Sequence, residues 1–134
     1  MNDAKCDPVG RLFAGTTAYD FAEGAGTLYR IDADRSWQAV VGGVTISNGL
    51  GWSPDGARLY YIDSPTQAVD VLDYDVARGE LTGRRRLVDI PPEHGTPDGL
   101  TVDGEGNLWV ACFDGGASGR AVRAASARSA AARR

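Results

Sequence analysis

Short apolar runs alternate with polar turns along the first 115 or so residues, and turn formers recur too often to leave room for three uninterrupted helical turns. The middle of the chain shows this most clearly. Runs rich in Tyr, Leu, Val and Ile at 49–53, 58–63, 68–75 and 81–90 are divided by Pro54-Asp55-Gly56, Ser64-Pro65-Thr66 and Ala77-Arg78-Gly79. That pattern predicts four antiparallel strands joined by tight turns. Preceding runs at 26–33 and 37–41 fit the same scheme, and a third series begins at Asp98 and is expected to stop after two strands, near Cys112.

The three series are copies of one unit. NDAKCDPVGRLFAG starts at Asn2, NGLGWSPDGARLYYI at Asn48 and DGLTVDGEGNLWVA at Asp98. Each places a glycine eight positions after its first residue, at Gly10, Gly56 and Gly106, and each then reaches Leu12-Phe13, Leu59-Tyr60 or Leu108-Trp109. The starts lie 46 and 50 residues apart. Four strands per ~45 residues, with Gly and aromatic marks at fixed places, is the sequence signature of a β-propeller blade. The expected fold is therefore all-β, a partial β-propeller of about two and a half blades over 1–116. Tyr60, Trp52 and Trp109 are expected to pack between blades. Arg84, Arg85 and Arg86 are expected on an outermost strand, where charge guards an edge.

Composition narrows the function classes. The net charge of -4 argues against a nucleic-acid partner, because phosphate binding needs a basic surface. Five of the fourteen basic residues fall in 117–134, which holds none of the eighteen acidic ones. This Ala/Arg-rich segment has no apolar stripe and is expected to be disordered or helical, separate from the propeller part. Cys6 and Cys112 form no C-x-x-C pair and are expected to be buried, reduced thiols. No apolar run approaches the ~20 residues that span a bilayer, and no basic-then-apolar leader opens the chain. The expectation is a soluble, cytoplasmic product with no membrane partner.

The first residue of each unit carries the candidate chemistry. Innermost strands of a propeller surround one channel, so equivalent positions return to the same level around its axis. Asn2, Asn48 and Asp98 all bring side-chain oxygens there, and such oxygens suit a hard divalent cation, Ca²⁺ or Mg²⁺, with Zn²⁺ also admissible. The competing reading is that each simply caps a turn. Asp32-Ala-Asp34 opens like a calcium loop, but Trp37 and Gly43 stand where that loop needs Gly and Glu, so a strand-connecting turn is expected. His94, close before Asp98, is read as a solvated loop residue.

Residues 2–116 resemble the SMP-30/gluconolactonase family, on NDAKCDPVGRLFAGT, on ISNGLGWSPDGARLYYIDSPTQAVDVLDYDVARGELTGRRRLVDI and on PDGLTVDGEGNLWVA. The resemblance implies a six-bladed propeller with one divalent cation in its channel, hydrolysing sugar lactones. By the same resemblance Asn48 of S-N-G-L and Asp98 of P-D-G are metal ligands, and Asn2 of the N-D motif contacts substrate. Asp98 would also serve as catalytic base, and Asp20 or Glu23 would stand on a loop that helps bind sugar. The family's Glu ligand has no counterpart here.

Three functional readings follow. One is a metal-dependent sugar lactonase, inactive as this fragment. The second is a non-catalytic calcium-binding propeller of the regucalcin type, using the same ligands. The third is a broken or frameshifted gene product, expected to aggregate or stay molten because its blade faces lack neighbours.

Overall fold

The computed structural model describes residues 1–115 and the backbone of Ala121–Ala124. Three antiparallel meanders follow one another, each with neighbouring strands in chain order. The first comprises β1 (Ala4–Cys6), β2 (Leu12–Gly15), β3 (Gly26–Ile31) and β4 (Trp37–Val44); the second β5 (Ser47–Trp52), β6 (Arg58–Asp63), β7 (Ala68–Asp75) and β8 (Glu80–Asp89). The third comprises β9 (Thr96–Val102), β10 (Leu108–Phe113) and β11 (Ala121–Ala124). Helical structure among the described residues is confined to two single 3₁₀ turns, Ser64–Thr66 and Pro92–His94.

β6 shows why the middle sheet is apolar on both sides. Successive strand residues point to opposite faces. Leu59 and Tyr61 enter a core with Phe13, Leu28, Val44 and Leu72 of the first and second sheets, while Tyr60 and Ile62 enter a core with Val69, Leu100, Leu108 and Val110. A strand buried on both faces reads as a continuous apolar run. Burying a residue such as Leu59 completely stabilises the fold by about 1.5–3 kcal/mol. The three sheets therefore stack face to face as consecutive blades, and the partial propeller expected from the repeat is the observed architecture.

The innermost strands lie closest together. A Cβ at position 49 would come within 2.7 Å of the Leu100 amide nitrogen and 2.8 Å of the Asp98 carbonyl oxygen, so Gly49 is what lets β5 approach β9. Lys5 of β1 reaches further round, donating to the Leu100 carbonyl at 3.1 Å. At the outer side, Arg11 donates to the Val76 and Ala77 carbonyls (2.7 and 2.9 Å) and Arg30 to those of Arg78 and Gly79 (2.8 Å each). Two guanidinium groups of the first blade thus hold the β7–β8 turn of the second.

Several expectations need correction. The third unit has a third strand: Ala121–Ala124 pairs with β10, Leu108 opposite Ala124 and Ala111 opposite Ala121. The tail is thus neither helical nor without structure at those four residues, because the free edge of β10 offers a backbone ladder that composition does not reveal; 116–120 and 125–134 lie outside the described residues. Cys6 is exposed, whereas Cys112 is buried. Tyr60 is buried and Trp52 packs against the first core, but Trp109 is 39% exposed on the outer face of the third sheet. Arg84, Arg85 and Arg86 do lie on the outer strand, each paired with an acid: Asp70, Asp73 and Asp89 at 2.7, 3.0 and 3.0 Å.

Candidate functional site

Asn48 and Asp98 occupy the same kind of place in successive blades. In β5–β6, Ser47 pairs with Asp63 and Leu50 with Tyr61, so Asn48 and Gly49 together face Ile62. In β9–β10, Pro97 pairs with Cys112 and Leu100 with Val110, so Asp98 and Gly99 together face Ala111. Each is a two-against-one bulge at the head of an innermost strand, a device that turns a side chain out of the regular pleat. Asn2 stands just ahead of β1, its backbone N–H donating to the Gly15 carbonyl at 2.8 Å.

Two of the three leading residues are bonded directly. Asn2 Nδ2 donates to Asn48 Oδ1 at 3.0 Å and to the Ser47 carbonyl at 2.8 Å. Asn48 Nδ2 in turn donates to Ser64 Oγ at 2.8 Å. Ser64 is buried and stands in the 3₁₀ turn after β6. The residues beneath are tied by hydrogen bonds: Tyr61 donates its hydroxyl to Ser47 Oγ at 2.5 Å, and the buried Asp63 carboxylate accepts the backbone N–H groups of Thr45 and Ile46 at 2.9–3.1 Å. Burial pushes the Tyr61 phenol up to about 12, against the easing effect of its bond to Ser47, so it stays a proton donor at neutral pH.

Asp98 is half-buried near the start of β9, and its carboxylate makes no hydrogen bond among the described residues. Its charge is felt at Cys112, whose thiol is raised first by burial and then by the Asp98 carboxylate. His94, expected to be solvated, is half-buried, and its Nδ1 is enclosed without a hydrogen-bond partner among the described residues. Asp20 lies on the exposed loop after β2, where its carboxylate accepts the Ala22 N–H at 3.1 Å, and Glu23 is exposed on the same loop.

The donor chemistry fits a hard cation in part. With its nitrogen bonded to Ser64, Asn48 presents its oxygen, and a carbonyl oxygen bonded once by Asn2 keeps a second lone pair. Asp98 offers, from the neighbouring innermost strand, a carboxylate uncommitted among the described residues. Ca²⁺ takes six to eight oxygens and Mg²⁺ six, so two protein donors leave most positions to water or other groups. No cluster of three or more His, Cys, Asp or Glu side chains suited to a metal occurs among the described residues. Ser47, Ser64 and Asp63 escape a reading by repeat register because they support the site from other positions; the Asn-Gly and Asp-Gly pairs at the bulges are the local signal that was available.

Comparison with known proteins agrees with the fold. Residues 1–128 match the SMP-30/Gluconolactonase/LRE-like region. Regucalcin of Sus scrofa is 45% identical over 121 residues, which span 87% of this chain and 40% of that protein. A solved luciferin-regenerating enzyme superposes with a TM-score of 0.80 at 42% identity, over 85% of this chain and 39% of its own. A calcium-binding protein, regucalcin, from Agrobacterium tumefaciens superposes with a TM-score of 0.78 at 29% identity, over 84% and 38% respectively. The chain spans about two fifths of the length of the curated relatives it matches. No described helix is long and apolar enough to cross a membrane.

Proposed function

The chain belongs to the SMP-30/gluconolactonase/LRE-like family, and from that premise we propose that it carries part of a divalent-cation site at which sugar lactones are hydrolysed. The observation that carries this reading is the pair of equivalent bulges, which carry an amide oxygen and a carboxylate on adjacent innermost strands. Asn48 through Oδ1 and Asp98 through one carboxylate oxygen would hold the ion. Bound there, a divalent cation supplies Lewis-acid polarisation of the ester carbonyl and acidifies water.

The chain's own groups then divide the work. The second oxygen of Asp98 accepts a proton as water adds to the carbonyl carbon, and returns it to the ring oxygen when the carbon–oxygen ester bond breaks, yielding the open hydroxy acid. Asn2 spends both N–H groups on Ser47 and Asn48, so it meets the substrate with Oδ1, an acceptor for a sugar hydroxyl. Asn48 takes no part in proton transfer.

Titrating acid release from gluconolactone with Ca²⁺, Mg²⁺ or Zn²⁺ present tests the proposal. A metal-dependent rate above the spontaneous one, abolished in Asp98→Asn, supports it. A second reading, cation binding without turnover, is favoured by the small number of donors; it predicts Ca²⁺ uptake that Asp98→Asn weakens, with hydrolysis at the spontaneous rate throughout.

A further inference from the structure

We propose that Ser64 is a positioning residue that, together with Asn2, holds the oxygen of the Asn48 amide toward the cation, an inference that rests on the cation-site reading above. The Ser47 backbone carbonyl can only accept, so the Asn2 group facing it at 2.8 Å must be Nδ2. The same nitrogen lies 3.0 Å from the Asn48 amide, which must therefore present Oδ1. Asn48 Nδ2 is then obliged to point the other way, and it meets Ser64 Oγ at 2.8 Å. The chain of donors runs in one direction, from Asn2 to Asn48 to Ser64, and Ser64 is the acceptor that ends it.

Ser64 suits this duty because it cannot drift. It is 2% exposed, its backbone N–H donates to the Ile46 carbonyl at 3.1 Å, and its carbonyl accepts the N–H of Gln67 at 3.2 Å. Without its hydroxyl, Asn48 Nδ2 would face a buried methyl group, and the Asn2 bond alone would hold the amide, which would exchange more readily with orientations that offer N–H to the cation. Groups that orient a metal ligand in this way typically contribute 10–100-fold to affinity.

A double-mutant cycle separates orientation from mere support. A carboxylate at position 48 has two equivalent oxygens and no wrong way round, so Ser64 should matter while Asn48 is in place and hardly at all in the Asn48→Asp variant. Tb³⁺, read by luminescence sensitised from the chain's own Trp and Tyr residues, serves as the probe ion, with Ca²⁺ as competitor. Ser64→Ala is expected to weaken Tb³⁺ binding about tenfold in the Asn48 background and less than about threefold in the Asn48→Asp background, with Ser64→Thr keeping most of the affinity. Equal losses in both backgrounds would overturn the proposal, since that is the mark of a structural defect. A metal-free readout keeps it distinct from the cation-site reading. The Asn48 side-chain N–H signals should be protected from exchange in the wild-type chain and lose protection in Ser64→Ala; unchanged protection overturns the role of Ser64 whatever the ion does. If protection falls but neither Asn48→Ala nor Asp98→Asn alters Tb³⁺ binding, the orientation holds and the cation site fails.

Discussion

The Tyr74 hydroxyl donates to the Asp7 carboxylate across the junction of the first two blades, sixty-seven residues apart in the chain. Asp7 is 5% exposed and also accepts from the backbone of Val9 and Arg11 and from the Arg11 guanidinium at 3.0 Å. Burial alone would raise its carboxyl; the bonds from Tyr74 and Arg11 outweigh it and hold the group below its usual 3.8. A carboxyl lowered in the folded state contributes stability that is complete above its unfolded pKa and is lost as pH falls through the lower folded value. Asp7→Asn is therefore expected to cost about 1–3 kcal/mol at pH 7. Urea denaturation from pH 7 to pH 2 should show the wild type losing stability below pH ~4 more steeply than the variant. Parallel curves would show that this junction does not depend on the Asp7 charge.

The approach of β5 to β9 makes a steric prediction. Gly49→Ala sets a methyl against the backbone of Asp98 and Leu100 at 2.7–2.8 Å, and backbone cannot move aside as a side chain can. The expected cost is about 1–3 kcal/mol, with weaker cation binding because the two bulges are forced apart. Gly99→Ala is the control, since a Cβ there has nothing within 4 Å. Thermal unfolding of the two variants should differ by several degrees, and equal midpoints would refute the contact.

How far the sequence could be read depends on what repeats. The placing of Asn2 beside Asn48 was legible because the blade recurs and equivalent positions on adjacent innermost strands come close, as their 3.0 Å bond shows, and Asp98 stands at the matching bulge of the next blade. Ser64 was not legible, since a serine before Pro65 is explained well enough by the turn it starts, and its bond to Asn48 joins the strap after β6 to the head of β5. Trp109 occupies the position of Tyr60 in its blade, yet one is 39% exposed and the other 1%, because burial of a blade face depends on whether another sheet lies over it. The strand at Ala121–Ala124 follows from a free edge of β10, which no count of Ala and Arg conveys.

The two cysteines should differ sharply in reactivity. Thiolate is the reacting form, so exposure and a low pKa both favour reaction. Cys6 is exposed, whereas Cys112 is 6% exposed and its thiol is raised by burial and by Asp98. Titration of the native chain with a disulfide reagent at pH 8 is expected to label one thiol quickly and the second only on unfolding. Asp98→Asn should lower the Cys112 pKa only partly, because burial is the larger cause. Two thiols reacting at one rate would contradict the burial of Cys112.

The outer faces of the first and third sheets carry the last prediction. Leu12 pairs with Ile31 and Ile31 with Trp37, a row of apolar side chains turned away from the second sheet, and Trp37 is 69% exposed. On the third sheet Trp109 and Phe113, each two strand positions from Ala111, are 39% and 71% exposed. Contiguous exposed apolar surface of this kind favours association. Sedimentation velocity over a hundredfold range of concentration is expected to show the 134-residue chain self-associating. Phe113→Ser combined with Trp37→Ser should shift it toward monomer, while Val76→Ser, which removes an exposed apolar side chain at the β7–β8 turn instead, should not. Monomer at every concentration in the wild type would show that these faces are not sticky enough to matter.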